Sequence, residues 1–192
     1  MSAQQKRLYE YAQSQQGYFT TKQALRAGYS APTHLYHVQT GSWVKEYRGI
    51  YRLGQYPDSA EGQYVLWTLW SCNRKEIPQG VFSHQTALSM HDLSDVMPAK
   101  LHMTVPLGFR RNSALPNVLC LHKANMPQSD IVKFQGFSAV RALRAIIDLL
   151  HDGTESHDHL RQALRQGLER GLITRAELQE HPESTTLQDM LK

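Results

Sequence analysis

The side chains best suited to chemistry in this sequence gather between residues 20 and 50. They are of types that touch phosphates and base edges. Lys22, Arg26, Lys45 and Arg48 carry positive charge, and Thr33, His34, Tyr36 and His37 offer hydrogen-bonding groups within one short stretch. Cations neutralise phosphates, and polar side chains on one face of a helix can reach base edges. The spacing of His34 and His37 would also suit a helical metal pair, but no cysteine or acidic third ligand stands near them in sequence, so DNA contact is the reading taken. Signatures of catalysis are missing. There is no Walker loop, no Gly-x-Ser-x-Gly elbow, no His-Glu-x-x-His, and no Asp-x-Asp beside Gly41-Ser42. Ser83-His84 and His91-Asp92 contain triad residue types, yet neighbours in sequence do not make a triad, and helix capping and packing is their expected role. The expectation is a protein that is not an enzyme, with no catalytic residue, no cofactor and no metal site.

Charge is distributed to the same effect. Residues 1–56 hold seven basic and two acidic side chains, a net +5, whereas residues 151–192 hold five basic and eight acidic, a net −3. A positive first third on a chain of net +4 is the electrostatic footprint of a polyanion-binding module. No apolar run approaches membrane-spanning length, and Met1-Ser2-Ala3-Gln4-Gln5-Lys6 lacks the layout of a secretory signal. Cys72 and Cys120 form no Cys-x-x-Cys pair, which fits a reducing compartment. A soluble, cytoplasmic protein with no membrane partner is expected.

These residues need elements to position them. Residues 2–16 lack Gly and Pro and repeat Leu8, Tyr11 and Ala12 at helical spacing. Thr20 with Gln23 is a capping-box pattern, starting a short helix that turns Ala24, Leu25 and Ala27 inward and stops at Gly28. Ser30 can cap a third helix with Pro32 in its first turn. There Leu35 and Val38 are expected to face the core, leaving Thr33, His34, Tyr36 and His37 outside. Trp43–Tyr47 and Ile50–Leu53 read as strands around Arg48-Gly49, whose residue types suit a type II turn or a strained primed one. Two short helices joined by a tight turn, followed by a basic hairpin, make a winged helix-turn-helix with Arg48 at the wing tip.

Gly17-Tyr-Phe-Thr-Thr-Lys-Gln-Ala-Leu-Arg-Ala-Gly-Tyr-Ser30, continued by Gly41 and Tyr47-Arg-Gly-Ile-Tyr-Arg-Leu53, resembles the N-terminal domain of the AbiEi family. Phe82-Ser-His-Gln-Thr-Ala-Leu-Ser-Met-His-Asp-Leu93, the run Leu101–Pro106 and Arg144-Ala-Ile-Ile-Asp-Leu149 extend the likeness over about the first 150 residues. The family comprises antitoxins of type IV toxin–antitoxin systems linked to abortive phage infection. The resemblance implies a winged helix-turn-helix that binds repeats in double-stranded DNA at its own promoter and represses it. It also implies a second domain that counters a nucleotidyltransferase-type toxin. Carried over, the DNA role falls on the helix at 31–40 and the wing around Arg48. Two positions depart from the pattern: Glu46 stands where an apolar wing residue is expected, and Ala145 where many relatives have Thr.

Beyond a boundary at Gln55–Ser59, the sequence alternates apolar helices near 60–73, 84–93, 141–150 and 158–170 with β-prone runs at 101–105, 118–122 and 131–134. The reading is an α+β chain: residues 1–55 a DNA-binding winged helix-turn-helix, residues 60–192 a mixed α/β, partner-binding domain. Thr174 with Glu177 predicts a capping box for a last short helix, after which Pro182–Lys192 is expected to be mobile or to dock on a partner. The tail His151–His159 reads as a solvated loop and cap, not a metal site, and Arg110-Arg111 as a candidate partner contact. No heptad seam is visible, so a monomer bound to paired repeats is the expected state. Two other readings stand beside the cognate toxin and DNA: a protein-docking module without specific DNA binding, and a metal-dependent nuclease.

Overall fold

The structure, a computed structural model, describes residues 1–93 and 98–192. These divide into two compact units: residues 1–80 with 133–137, and residues 81–132 with 138–192. The chain is an α+β protein with a winged helix-turn-helix at its start.

The first unit begins with helix α1 (Ala3–Gln13), closed at its N-terminus by a capping box between Ser2 and Gln5. Strand β1 (Tyr18–Thr20) leads into α2 (Thr21–Ala27), where Thr20 and Gln23 form the expected box and Gly28 ends the helix. Helix α3 (Thr33–Gln39) starts two residues later than foreseen. Ser30 contributes its carbonyl, which accepts from the Thr33 amide at 3.0 Å and the Thr33 hydroxyl at 2.7 Å, in place of a side-chain cap. Strands β2 (Trp43–Tyr47) and β3 (Ile50–Leu53) complete an antiparallel sheet of order β1-β3-β2. Leu8, Ala12, Phe19, Ala24, Ala27 and Trp43 form the core, with Phe19 edge-on to Trp43 at 4.9 Å.

This unit continues past residue 55, the expected end of the winged module. Helix α4 (Ala60–Trp70) belongs to it. The reason lies in two contacts. A Cβ on Gly62 would stand 2.7 Å from the Tyr18 hydroxyl, so only glycine lets α4 approach β1 this closely. Tyr47 in turn meets Trp67 edge-on at 5.3 Å. The winged module therefore covers its sheet with a helix that sequence spacing assigns to the following domain.

In the second unit β4 (Val81–Phe82), α5 (His84–Met90), β5 (Leu101–Val105), β6 (Leu119–Lys123), β7 (Ile131–Lys133) and β8 (Ser138–Val140) precede four helices. These are α6 (Ala142–Asp152), α7 (His157–Glu169), α8 (Arg175–Glu180) and α9 (Ser184–Leu191). The sheet order is β6-β5-β4-β8-β7, with β4 antiparallel to β5 and parallel to β8, and β5 parallel to β6. Ala142, Ala145, Ile146, Ile147 and Leu149 give α6 a broad buried face. Thr174 and Glu177 make the expected capping box on α8. Of the terminal segment, expected to be mobile or to dock on a partner, Ser184–Leu191 is helical, with Leu187 fully buried.

Candidate nucleic-acid interface

The wing is a two-residue connection between β2 and β3, with Tyr47 opposite Ile50. Positive φ falls on Gly49, at 76°, and not on Arg48. A type II turn requires that assignment and a type I′ turn forbids it. Thr21 at the start of α2 ties the tip down: its amide donates to the Gly49 carbonyl at 2.9 Å and its hydroxyl at 3.3 Å. Arg48 stands exposed at that anchored tip, and Lys45 is exposed on β2. Among the described residues neither has an acidic partner within salt-bridge distance.

Glu46 explains itself here. The pairing of β2 with β3 slips between Lys45 and Tyr47, so Glu46 occupies a bulge and not an inward strand position. Its carboxylate accepts from Arg52 Nε at 2.7 Å, and the buried guanidinium also donates to the Tyr56 carbonyl. An apolar residue at 46 would take its directly bonded carboxylate away from the buried Arg52.

On α3 Val38 packs against the core and Thr33 and Tyr36 are exposed, as expected, but Leu35 and His34 exchange places. His34 is buried, 5.2 Å from Trp43 and 5.9 Å from Tyr51 in ring-centroid distance. Burial, with the neighbouring His37 adding to it, holds its imidazole below the ordinary range and keeps it neutral. His37 is half-buried and lies flat against Trp43 at 4.6 Å. Leu35 is 64% exposed and Tyr36 63%. The surroundings are aromatic: the His34 ring lies tilted beside Trp43 of β2 and edge-on to Tyr51 of β3. His34 is therefore corrected from an outer reader to a core residue, and His37 to a half-buried packing residue. Thr33, Leu35, Tyr36 and Gln39 form the exposed face of α3. Gln39, whose amide can pair with an adenine edge, went unnoticed because the face was assigned from Leu35. On α2, Leu25 is likewise exposed where an inward position was expected.

Two of the expected cations are engaged inside the unit. Arg26 is paired with Glu76, and Lys22 Nζ donates to the Arg74 carbonyl at 3.0 Å and lies 3.9 Å from the same carboxylate. Asn73 shapes the loop that presents Glu76, its Oδ1 accepting from the amides of Lys75 and Ile77. Lys22 and Arg26 remain more than half exposed, so each can still turn toward a phosphate. Lys6 and Arg7 on α1 are exposed and were not singled out by sequence.

Residues 6–54 match the sequence model of a family described as a transcriptional regulator, AbiEi antitoxin. The match spans the helix-turn-helix and the wing. No curated protein sequence matches the chain. Among solved structures, that of the RV2827C protein from Mycobacterium tuberculosis superposes with a TM-score of 0.54 at 12% identity, covering 99% of this chain and 78% of the other. At that identity the likeness is one of fold.

Proposed function

We propose that this chain, whose residues 6–54 match the model of a family of transcriptional regulators, the AbiEi antitoxins, is an autorepressor that binds double-stranded repeats in its own promoter. The carrying observation is the anchored wing, with Arg48 exposed at a tip fixed by Thr21. In this reading Thr33, Tyr36 and Gln39 of α3 read base edges, and Arg48, Lys45, Lys22 and Arg26 contact phosphates. His34 and His37 support the helix from beneath. The second unit serves as the antitoxin domain, acting in the cytoplasm against a nucleotidyltransferase-type toxin in phage defence by abortive infection. Support for a non-catalytic protein comes from the family description, a transcriptional regulator. Among the described residues no helix is long and apolar enough to cross a membrane.

Fluorescence anisotropy with the upstream DNA at several salt concentrations tests the assignment. Each of Arg48→Ala and Lys45→Ala should flatten the salt dependence by about 0.9 in log–log slope. Wild-type slopes in both variants would remove the wing from the interface. A docking role for the same surface is favoured by one feature, the exposed Leu35–Tyr36 pair. Salt-insensitive binding to the toxin, lost in Leu35→Ala, would select it.

A further inference from the structure

Three histidines far apart in sequence meet in the second unit. His84 opens α5, His102 lies on β5 and His122 on β6, and each offers one ring nitrogen such that the three atoms lie within 4.8 Å of one another. His102 Nδ1 stands 3.0 Å from His122 Nε2, and the rings of His84 and His122 stack at 3.6 Å. The Asp152 carboxylate at the end of α6 lies 3.2 Å from His84 Nε2 and 3.7 Å from His122 Nδ1. We propose that His84, His102 and His122 bind one borderline-soft divalent cation of the zinc class, with Asp152 as the neighbouring carboxylate that orients the imidazoles.

The geometry suits such an ion. Two nitrogens bound to a tetrahedral zinc lie about 3.4 Å apart; His102 Nδ1 and His122 Nε2 are 3.0 Å apart, and all three ligand atoms fall within 4.8 Å of one another. The histidines are built in: His84 is 5% exposed, at a φ of 54° that non-glycine residues seldom adopt. Its Nδ1 lies 2.9 Å from Ser83 Oγ, which accepts the Thr104 hydroxyl proton at 2.8 Å. A proton on His122 Nδ1, shared with Asp152, leaves Nε2 as a lone pair facing His102, the carboxylate–histidine–metal arrangement. Without a cation, the two nitrogens at 3.0 Å must share one proton. The ion would tie together α5, β5 and β6, with α6 held through Asp152.

The test uses the full chain freed of metal with a chelator. Cobalt(II) should bind at one equivalent per chain, give visible d–d bands of a nitrogen-ligated ion, and be displaced by zinc. His102→Gln and His122→Gln, on half-buried strand positions, should each weaken binding at least tenfold, and Asp152→Asn by about ten- to a hundredfold. Combined replacement of the exposed His151, His157 and His159 by Ala should leave it unchanged. Nitrogen-15 histidine spectra of the unmutated protein should show three imidazoles shifting on zinc addition, which keeps the test valid should a variant fold poorly. No stoichiometric binding, or binding that follows the exposed histidines, would overturn the site.

Discussion

Both units commit an arginine to a largely buried carboxylate, but the first also holds cations out on its wing. In the second, Arg144 braces a nearly buried carboxylate, donating to Asp148 at 2.7 Å and to Asp130 at 2.9 Å, while Arg141, just before α6, pairs at the surface with Glu177 of α8. In the first, Arg52 is committed to Glu46, Lys22 and Arg26 are shared with Glu76, and Lys45 and Arg48 stand exposed on the wing. A cation held by a buried carboxylate contributes to folding and has little left for a ligand. One held out from a rigid turn contributes nothing to folding and keeps its charge for a polyanion. Net charge alone hides that division, because all these side chains count equally in it.

The largest expected effect comes from the braced kind. Asp148 is nearly buried, and burial raises its carboxyl above the ordinary range while Arg144 opposes the shift. Arg144→Ala strands that carboxylate and should lower stability by about 2–3 kcal/mol in urea titration, with DNA affinity per folded molecule unchanged. Loss of DNA binding by a folded Arg144→Ala protein would break the comparison. The wing variants are the converse. Lys45→Ala with Arg48→Ala should shift the unfolding free energy by less than about 0.5 kcal/mol while lowering the salt slope of binding by about 2.

Arg26→Ala sharpens the boundary between the two classes. Because Glu76 already engages this guanidinium, its removal should cost less DNA affinity than Arg48→Ala, and an exposed pair is worth about 0–1 kcal/mol to the fold. An Arg26 effect larger than that of Arg48 would move the interface from the wing to α2.

The smallest effect concerns pH. His34 titrates below its ordinary 6.5 when folded. Above 6.5 it is neutral in both states and its packing contribution is complete. As pH falls below that value the unfolded chain takes the proton first, so stability declines. His34→Phe should reduce the slope of melting temperature against pH in this range. An unchanged slope would show that His34 is not buried in the aromatic cluster.

What could be read from sequence was local. The capping boxes at Thr20–Gln23 and Thr174–Glu177 need only three-residue spacing, and the Arg48-Gly49 turn only two residues. What could not be read depended on partners brought in from afar. Leu35 and His34 exchanged places on α3 because the inner side of the helix meets the rings of Trp43 and Tyr51, which come from the following strands; in isolation Leu35 is the more apolar side chain. Glu46 looked out of pattern until the bulge and Arg52 explained it. Lys22 and Arg26 looked unpaired because Glu76 lies 50 residues beyond Arg26. The grouping of His84, His102 and His122 rests on the parallel pairing of β5 with β6, which no spacing announces. The two-residue strand β4 carries too little pattern to be seen.

The central claim is that the exposed wing and the outer face of α3 recognise DNA. It is tested most directly by titrating the purified chain into labelled DNA from upstream of its own gene, against a scrambled duplex, at two salt concentrations. The account predicts tight binding to the upstream duplex alone, weakening steeply as salt rises. Equal affinity for both duplexes, or none for either, would contradict it.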